Sequence, residues 1–261
     1  MLADIPDELR ESGAIEVRKK LGTITGGAVL DVGTDDGDFI KVLMKTLKDY
    51  NSITGIDITD KEFDKARERF KDDPVDFIVM NADSMTFEDD QFDTVCMSYT
   101  IHHLENVDKV MEEMFRVLKP GGNFIIQELY SDGEQTTTQH VDLAVHAFDA
   151  KVDSLLGIPH FEALTRQRLR DSVDKVGLSD VEVFESSWSV KCLFCNDACE
   201  CANPMRPDNI DSVLKRIDDS LNRIGNRFST KELEKEAESL KERVKVYGSA
   251  PASVMYFIGR K

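Results

Sequence analysis

The sequence predicts an α/β fold, a mostly parallel sheet with helices on both faces, and three observations predict it. Strand-like and helix-like segments alternate through the first two-thirds of the chain, the pattern that builds strand–helix–strand units. A glycine-bearing turn with Gly33 and Gly37 joins the first strand-like run to the first helical one. A late apolar run at 253–259, Ser-Val-Met-Tyr-Phe-Ile-Gly, supplies a last strand far from the others. The 261 residues are 41% hydrophobic, enough to bury a sizeable core.

The elements follow in order. Residues 27–31 (Gly-Ala-Val-Leu-Asp) form a short buried strand, and 38–47 carry Phe39, Val42 and Leu43 at helical spacing. Residues 53–57 are a second strand. Thr59 or Asp60 can cap the next helix, whose stripe is Phe63, Ala66 and Phe70. Residues 75–80 and 93–98 are the third and fourth strands. Val107, Val110, Met111, Met114, Val117 and Leu118 mark a helix that stops at Lys119-Pro-Gly-Gly122, because proline cannot continue a helix and glycine tolerates the turn. A fifth strand spans 124–129. Helices follow at 137–156 and 163–176, then a sixth strand at 181–184, with a possible extension toward Val190. Between the last two strands lies a block, 192–251, with four cysteines and two amphipathic helices. Their apolar positions are Ile210, Val213, Leu214, Ile217, Leu221 and Ile224, then Leu233, Ala237, Leu240 and Val244. The expected domains are a core of 1–191 plus 252–261 and an insertion of 192–251.

The formal net charge is −17. Such a field repels phosphate backbones, and no dense basic stretch offsets it, so a nucleic-acid partner is disfavoured. A neutral or cationic small molecule, or a basic partner, fits better, although the acid excess also serves solubility alone. No tract of about 18 apolar residues predicts a membrane span. Residues 1–20 are charged throughout and lack the apolar centre of a signal peptide, so the expected location is cytoplasmic.

The glycine turn reads Asp31-Val-Gly33-Thr34-Asp35-Asp36-Gly37-Asp38. Such a turn brings backbone N–H groups close to a ligand, although glycine there also serves backbone geometry alone. Four carboxylates are poor company for a dinucleotide pyrophosphate and suit a ligand bearing a sulfonium and an ammonium, which favours S-adenosylmethionine over NAD or FAD. Asp57, ending the second strand, is placed to accept from both hydroxyls of a ribose.

With these residues in view, the stretch 29–128 resembles class I S-adenosylmethionine-dependent methyltransferases, especially the small-molecule group that includes the ubiquinone and menaquinone biosynthesis C-methyltransferases. Asp31 through Gly37 resembles their acidic, glycine-rich first motif. Asp57, followed by Ile58, matches the ribose-binding acid. Asn81-Ala-Asp83-Ser84-Met85 resembles the segment whose aspartate contacts the adenine amino group. Residues 92–98 resemble the fourth strand, Tyr99 and Ile101-His102-His103-Leu104 the loop after it, and Arg116-Val-Leu-Lys-Pro-Gly-Gly122 the motif that ends the following helix. The resemblance implies a Rossmann-like sheet of seven strands with the last antiparallel. It implies a cofactor site of Asp31, Gly33, Thr34, Asp35, Gly37, Asp57, Ile58, Asp83, Ser84 and Tyr99. Asp35 stands where the family commonly has glycine, a place aspartate tolerates better than most residues.

Methyl transfer from a sulfonium mainly requires alignment and exclusion of water, so no fixed triad is expected. His102 and His103, after the fourth strand, are candidates for cofactor contact or a base, or simply pack their loop. Glu128 and Tyr130, ending the fifth strand, are candidates to face the acceptor. His140 and His146 do not share a helical face, which argues against a joint metal site. Ser98-Tyr-Thr-Ile replaces the proline-bearing motif of DNA adenine methyltransferases. Cys192, Cys195, Cys199 and Cys201, spaced C-x2-C-x3-C-x-C, could hold zinc or an iron–sulfur cluster, act as a thiol-based substrate site, or stay unligated. The leading expectation is methyl transfer to a small-molecule acceptor; a protein methyltransferase and a non-catalytic cofactor-binding subunit are the alternatives. The insertion is expected as a lid over the acceptor pocket with the cysteines near its rim, or else as an oligomerisation arm.

Overall fold

The computed structural model describes residues 13–187, 203–225 and 231–261. In chain order the elements are α1 (Ala14–Leu21), β1 (Ala28–Val32), α2 (Asp38–Thr46), β2 (Ser52–Asp57), α3 (Phe63–Arg69), β3 (Val75–Val79), β4 (Phe92–Ser98), a 3₁₀ turn (Ile101–His103), α4 (Val107–Val117), β5 (Leu118–Leu129), α5 (Thr137–Leu155), α6 (Arg166–Asp174), β6 (Ser179–Ser186), α7 (Pro207–Ile224), α8 (Lys231–Tyr247) and β7 (Val254–Arg260). No described helix is long and apolar enough to cross a membrane.

The strands form one sheet in the order β3-β2-β1-β4-β5-β7-β6. The first five are mutually parallel. β7 runs antiparallel between β5 and β6, pairing Ile125 with Ile258 on one side and Val183 with Phe257 on the other. Alternation along the strands divides the core. Val29, Ile53, Ile125 and Tyr256 face α1, α2 and α3, while Leu30, Val95, Ile126 and Phe257 face α4 and α6. The seven-stranded Rossmann-like expectation is met.

Local differences have physical causes. Helix α1, not foreseen, buries Ala14, Val17 and Leu21 against the sheet despite its charged sequence. Neither Thr59 nor Asp60 caps α3: the residue at its N-cap is Glu62, and the Thr59 hydroxyl instead accepts the Lys61 N–H at 3.1 Å. The Lys119-Pro-Gly-Gly122 segment ends α4 but already belongs to β5. Leu118 pairs with Phe92, and the register shifts before Thr94, with Gly121 taking φ 75°.

The described helices of the insertion, α7 and α8, pack against α5. Ile217 and Ile224 of α7, with Leu233, Ala237, Leu240 and Val244 of α8, bury against Val141, Val145, Phe148 and Val152. Polar clamps reinforce the seam. Buried Asp149 accepts from Arg216 and from the Ser220 hydroxyl, and Asp153 accepts from Arg223. The four cysteines of the expected metal cluster lie outside the described residues.

Candidate functional site

The sheet's parallel strands end at a cleft of about 600 Å³. Its floor is the turn after β1. Gly33 holds φ 71°, and a Cβ there would come within 2.4 Å of Thr100, so the turn and the segment after β4 meet only because this residue is glycine. Asp35 occupies the left-handed region at φ 46°. Its N–H donates to Asp57 Oδ2 at 3.1 Å, and the Thr59 N–H donates to Oδ1 at 3.2 Å. Asp57 therefore faces the cleft with each carboxylate oxygen keeping a further acceptor position. Ile58, 68% exposed, and Tyr99, at φ 50°, give the opening an apolar wall, which Leu104, Ile158 and Pro159 extend.

The loop carboxylates are not equivalent, which refines the charge argument. Asp36 and Asp38 are paired with Arg69, and Asp36 also with Lys65. Burial raises the Asp36 carboxyl, but the two cations outweigh it and its pKa falls. Asp35 is pushed up by burial and by Asp36, Glu62 and Asp57. Asp31 lies beneath the turn, fully buried. It accepts from the Thr34 hydroxyl at 2.7 Å and sits 3.5 Å from the Cys96 thiol. Burial lifts its pKa to about 7.

Of the residues expected to hold cofactor, Gly33, Thr34, Asp35, Asp57, Ile58 and Tyr99 line the cleft. Asp31 and Gly37 support it from behind; a Cβ on Gly37 would meet the Phe70 ring at 2.5 Å. Asp83 and Ser84 do not line it. Met80, Asn81 and Ala82 form that wall instead, and the Asn81 side chain turns to accept the Asp83 N–H at 3.1 Å.

Beside this cleft lies a cluster of histidines. His102 is buried, with Nδ1 2.9 Å from Glu128 Oε1. Glu128 also accepts the N–H groups of Ile101 at 2.8 Å and Leu129 at 2.9 Å, so it fixes the turn as well as the ring. His103 lies with its ring centroid 4.3 Å from both His102 and His160, and it lines the 600 Å³ cleft. It also lines a second cleft of about 480 Å³, walled by α7 through Ser212, Lys215, Arg216, Asp219, Ser220 and Arg223. Burial and its histidine neighbours lower the His103 pKa to about 4. Tyr130 is brought to neither cleft: its hydroxyl donates to Glu185 at 3.3 Å and Arg166 lies over its ring. Sequence reasoning missed His160 and the part played by His146, since α5 and the α5–α6 loop bring them to His102 only in the folded chain.

Comparisons with known proteins agree with this geometry. Residues 30–126 match the family model described as a methyltransferase domain. The ubiquinone/menaquinone biosynthesis C-methyltransferase UbiE of Hydrogenovibrio crunogenus is 32% identical over 111 residues, 41% of this chain and 44% of that one. The chain spans about half the length of the curated relatives it matches. Among solved structures, a candidate methyltransferase of Bacillus halodurans aligns with TM-score 0.59 and 16% identity, covering 95% of this chain and 98% of the other. Phosphoethanolamine N-methyltransferase 2 of Haemonchus contortus, in complex with S-adenosyl-L-methionine, aligns with TM-score 0.54 and 18% identity, covering 95% and 52%. At such identities the structural matches establish the fold alone. Residues 30–126 therefore resemble a methyltransferase domain, and the sheet order carries the same fold as the solved methyltransferase structures.

Proposed function

We propose that the chain transfers a methyl group from S-adenosylmethionine to a small, polar acceptor. The observation that carries this is the 600 Å³ cleft at the ends of β1, β2 and β4, which joins an acidic floor to an apolar wall. Its size falls within the roughly 300–1,000 Å³ of ordinary ligand sites. Asp57 suits the ribose, Ile58 and Ala82 the adenine faces, and the turn over Asp31 the cationic amino-acid end. When bound, S-adenosylmethionine supplies an electrophilic methyl group on a sulfonium.

The residues present do the rest. The turn and Tyr99 fix the donor's position, and Ile158 and Pro159 narrow the opening, so alignment and exclusion of water carry the rate. His103 stands between the two clefts as a neutral imidazole near pH 7, placed to take a proton from an acceptor approaching along α7. Helix α7 walls this approach, which supports the lid reading of the insertion.

The relatives' name points to a quinone ring as acceptor. The described lining of the second cleft favours another choice: it carries Lys61, Asp149, Asp153, Lys215, Arg216, Asp219 and Arg223, which suit a polar acceptor better than a prenylated one. The test is labelled methyl transfer from S-adenosylmethionine into fractionated extract. Label in a polar small-molecule fraction supports the proposal. Label in protein or in lipid-soluble quinones, or none at all despite tight cofactor binding, refutes it.

A further inference from the structure

Three of the histidines converge from separate elements: His102 on the turn after β4, His146 on α5 and His160 in the loop before α6. Their ring centroids lie 4.7, 4.9 and 5.4 Å apart, and one ring nitrogen from each lies within 4.8 Å of the other two. All three are 6% exposed. We propose that His102, His146 and His160 bind a divalent first-row transition-metal ion, zinc foremost, with a fourth position open to a small acceptor bearing an ionisable hydroxyl or thiol.

The supporting groups around the rings favour this. Metal-bound histidines characteristically give their other ring nitrogen to a carboxylate or a backbone carbonyl. His102 Nδ1 faces Glu128 at 2.9 Å and His160 Nδ1 faces Asp153 at 2.8 Å. Opposite a carboxylate, Nδ1 carries the hydrogen and Nε2 keeps its lone pair. His146 is hydrogen-bonded to the Phe161 backbone. The Nε2 atoms of His146 and His160 are buried with no hydrogen-bond partner among the described residues. Unpartnered buried polar atoms are rare, and two aimed into one cluster of imidazoles point to a shared ligand.

The geometry needs only a small adjustment. Zinc–nitrogen bonds of about 2.0–2.1 Å at tetrahedral angles place ligand atoms roughly 3.4 Å apart, so the rings close inward slightly from their present spacing. Imidazole sets suit zinc, copper and nickel, and a three-histidine site leaves a coordination position free. A hydroxyl or thiol coordinated there would ionise more readily, and the His103 ring, 4.3 Å from the rings of His102 and His160, lines the neighbouring 600 Å³ cleft. The metal site rests on its own geometry; its use in methyl transfer rests on the function proposed above.

The test is zinc titration of chelator-treated full-length protein against a chromophoric competitor, without cofactor, together with X-ray absorption at the zinc edge. Expected are one tight equivalent ligated by nitrogen and oxygen, its loss in H146Q and in H160Q, and affinity reduced on the order of 10- to 100-fold in D153N. The equivalent should persist when Cys192, Cys195, Cys199 and Cys201 are all serine. The cobalt(II) form of the parent protein, which needs no variant to fold, should lack intense thiolate charge-transfer bands. A sulfur shell, strong thiolate bands, loss of the equivalent only in the cysteine variant, or no tight equivalent in the parent overturns the proposal. Binding of S-adenosylhomocysteine, measured separately, keeps its failure distinct from failure of the methyltransferase reading.

Discussion

Replacing Asp57 by alanine tests the cofactor site most directly. The carboxylate ends β2, faces the cleft and already accepts N–H groups from Asp35 and Thr59. Its remaining acceptor positions are those two ribose hydroxyls would use. Loss of hydrogen bonds to a charged acceptor costs about 1.5–3 kcal/mol of binding, a factor of roughly 10–150 in Kd. The folding cost should be smaller, on the order of 1 kcal/mol, because the two N–H groups lie at an exposed rim where water can replace the carboxylate. Asp57→Asn keeps the shape but turns one acceptor into a donor, and should fall between parent and alanine. The assay is calorimetric titration with S-adenosylhomocysteine, which avoids turnover, alongside thermal unfolding of each variant. Unchanged affinity in a folded Asp57→Ala protein would refute the placement of the ribose at Asp57.

Other expectations follow from neighbouring groups. Asp31, with a pKa of about 7, keeps its proton in the folded chain to higher pH than when unfolded near 3.8. The folded state thus binds more protons between pH 4 and 7, so this group makes stability fall as pH rises through that window, and Asp31→Asn should flatten the fall in urea unfolding curves. A cation bound above Asp31 lowers its pKa, so cofactor binding near pH 7 should release a fraction of a proton, read by calorimetry in buffers of different ionisation enthalpy and absent in Asp31→Asn. Asp35→Gly relieves a left-handed backbone at φ 46° and a like-charge contact; it should stabilise by about 1 kcal/mol, or roughly 2–4 °C in Tm. Asp149→Ala removes the partner of Arg216 and of buried Ser220, so it should cost about 1–3 kcal/mol in urea unfolding and loosen α7, seen as faster amide exchange along that helix.

The sequence by itself determined the sheet, the order of the helices after β1 and several residues that line the 600 Å³ cleft, because these depend on local signals. Alternating apolar runs set strands, the 3.6-residue period set helices, and the glycines of one turn must lie where chain and ligand approach closely. Residues adjacent in sequence, such as Gly33 to Asp35 or Asp57 with Ile58, were therefore legible together. The boundary of β5 was not, since pairing with Phe92 drew Leu118 into the strand. Which carboxylates of the turn are paired was not legible, since Arg69 and Lys65 arrive from α3 to meet Asp36, and Arg69 to meet Asp38. The surroundings of Tyr130 were not legible either, because its partners, Glu185 and Arg166, come from β6 and α6. The histidine cluster was invisible for the same reason. His146 on its own helix reads as one ring on one face, and no spacing links it to His102 and His160. Only packing of α5 and its following loop over the end of β4 brings the three rings together. Their chemistry is set by contacts between distant segments, which tertiary structure alone decides.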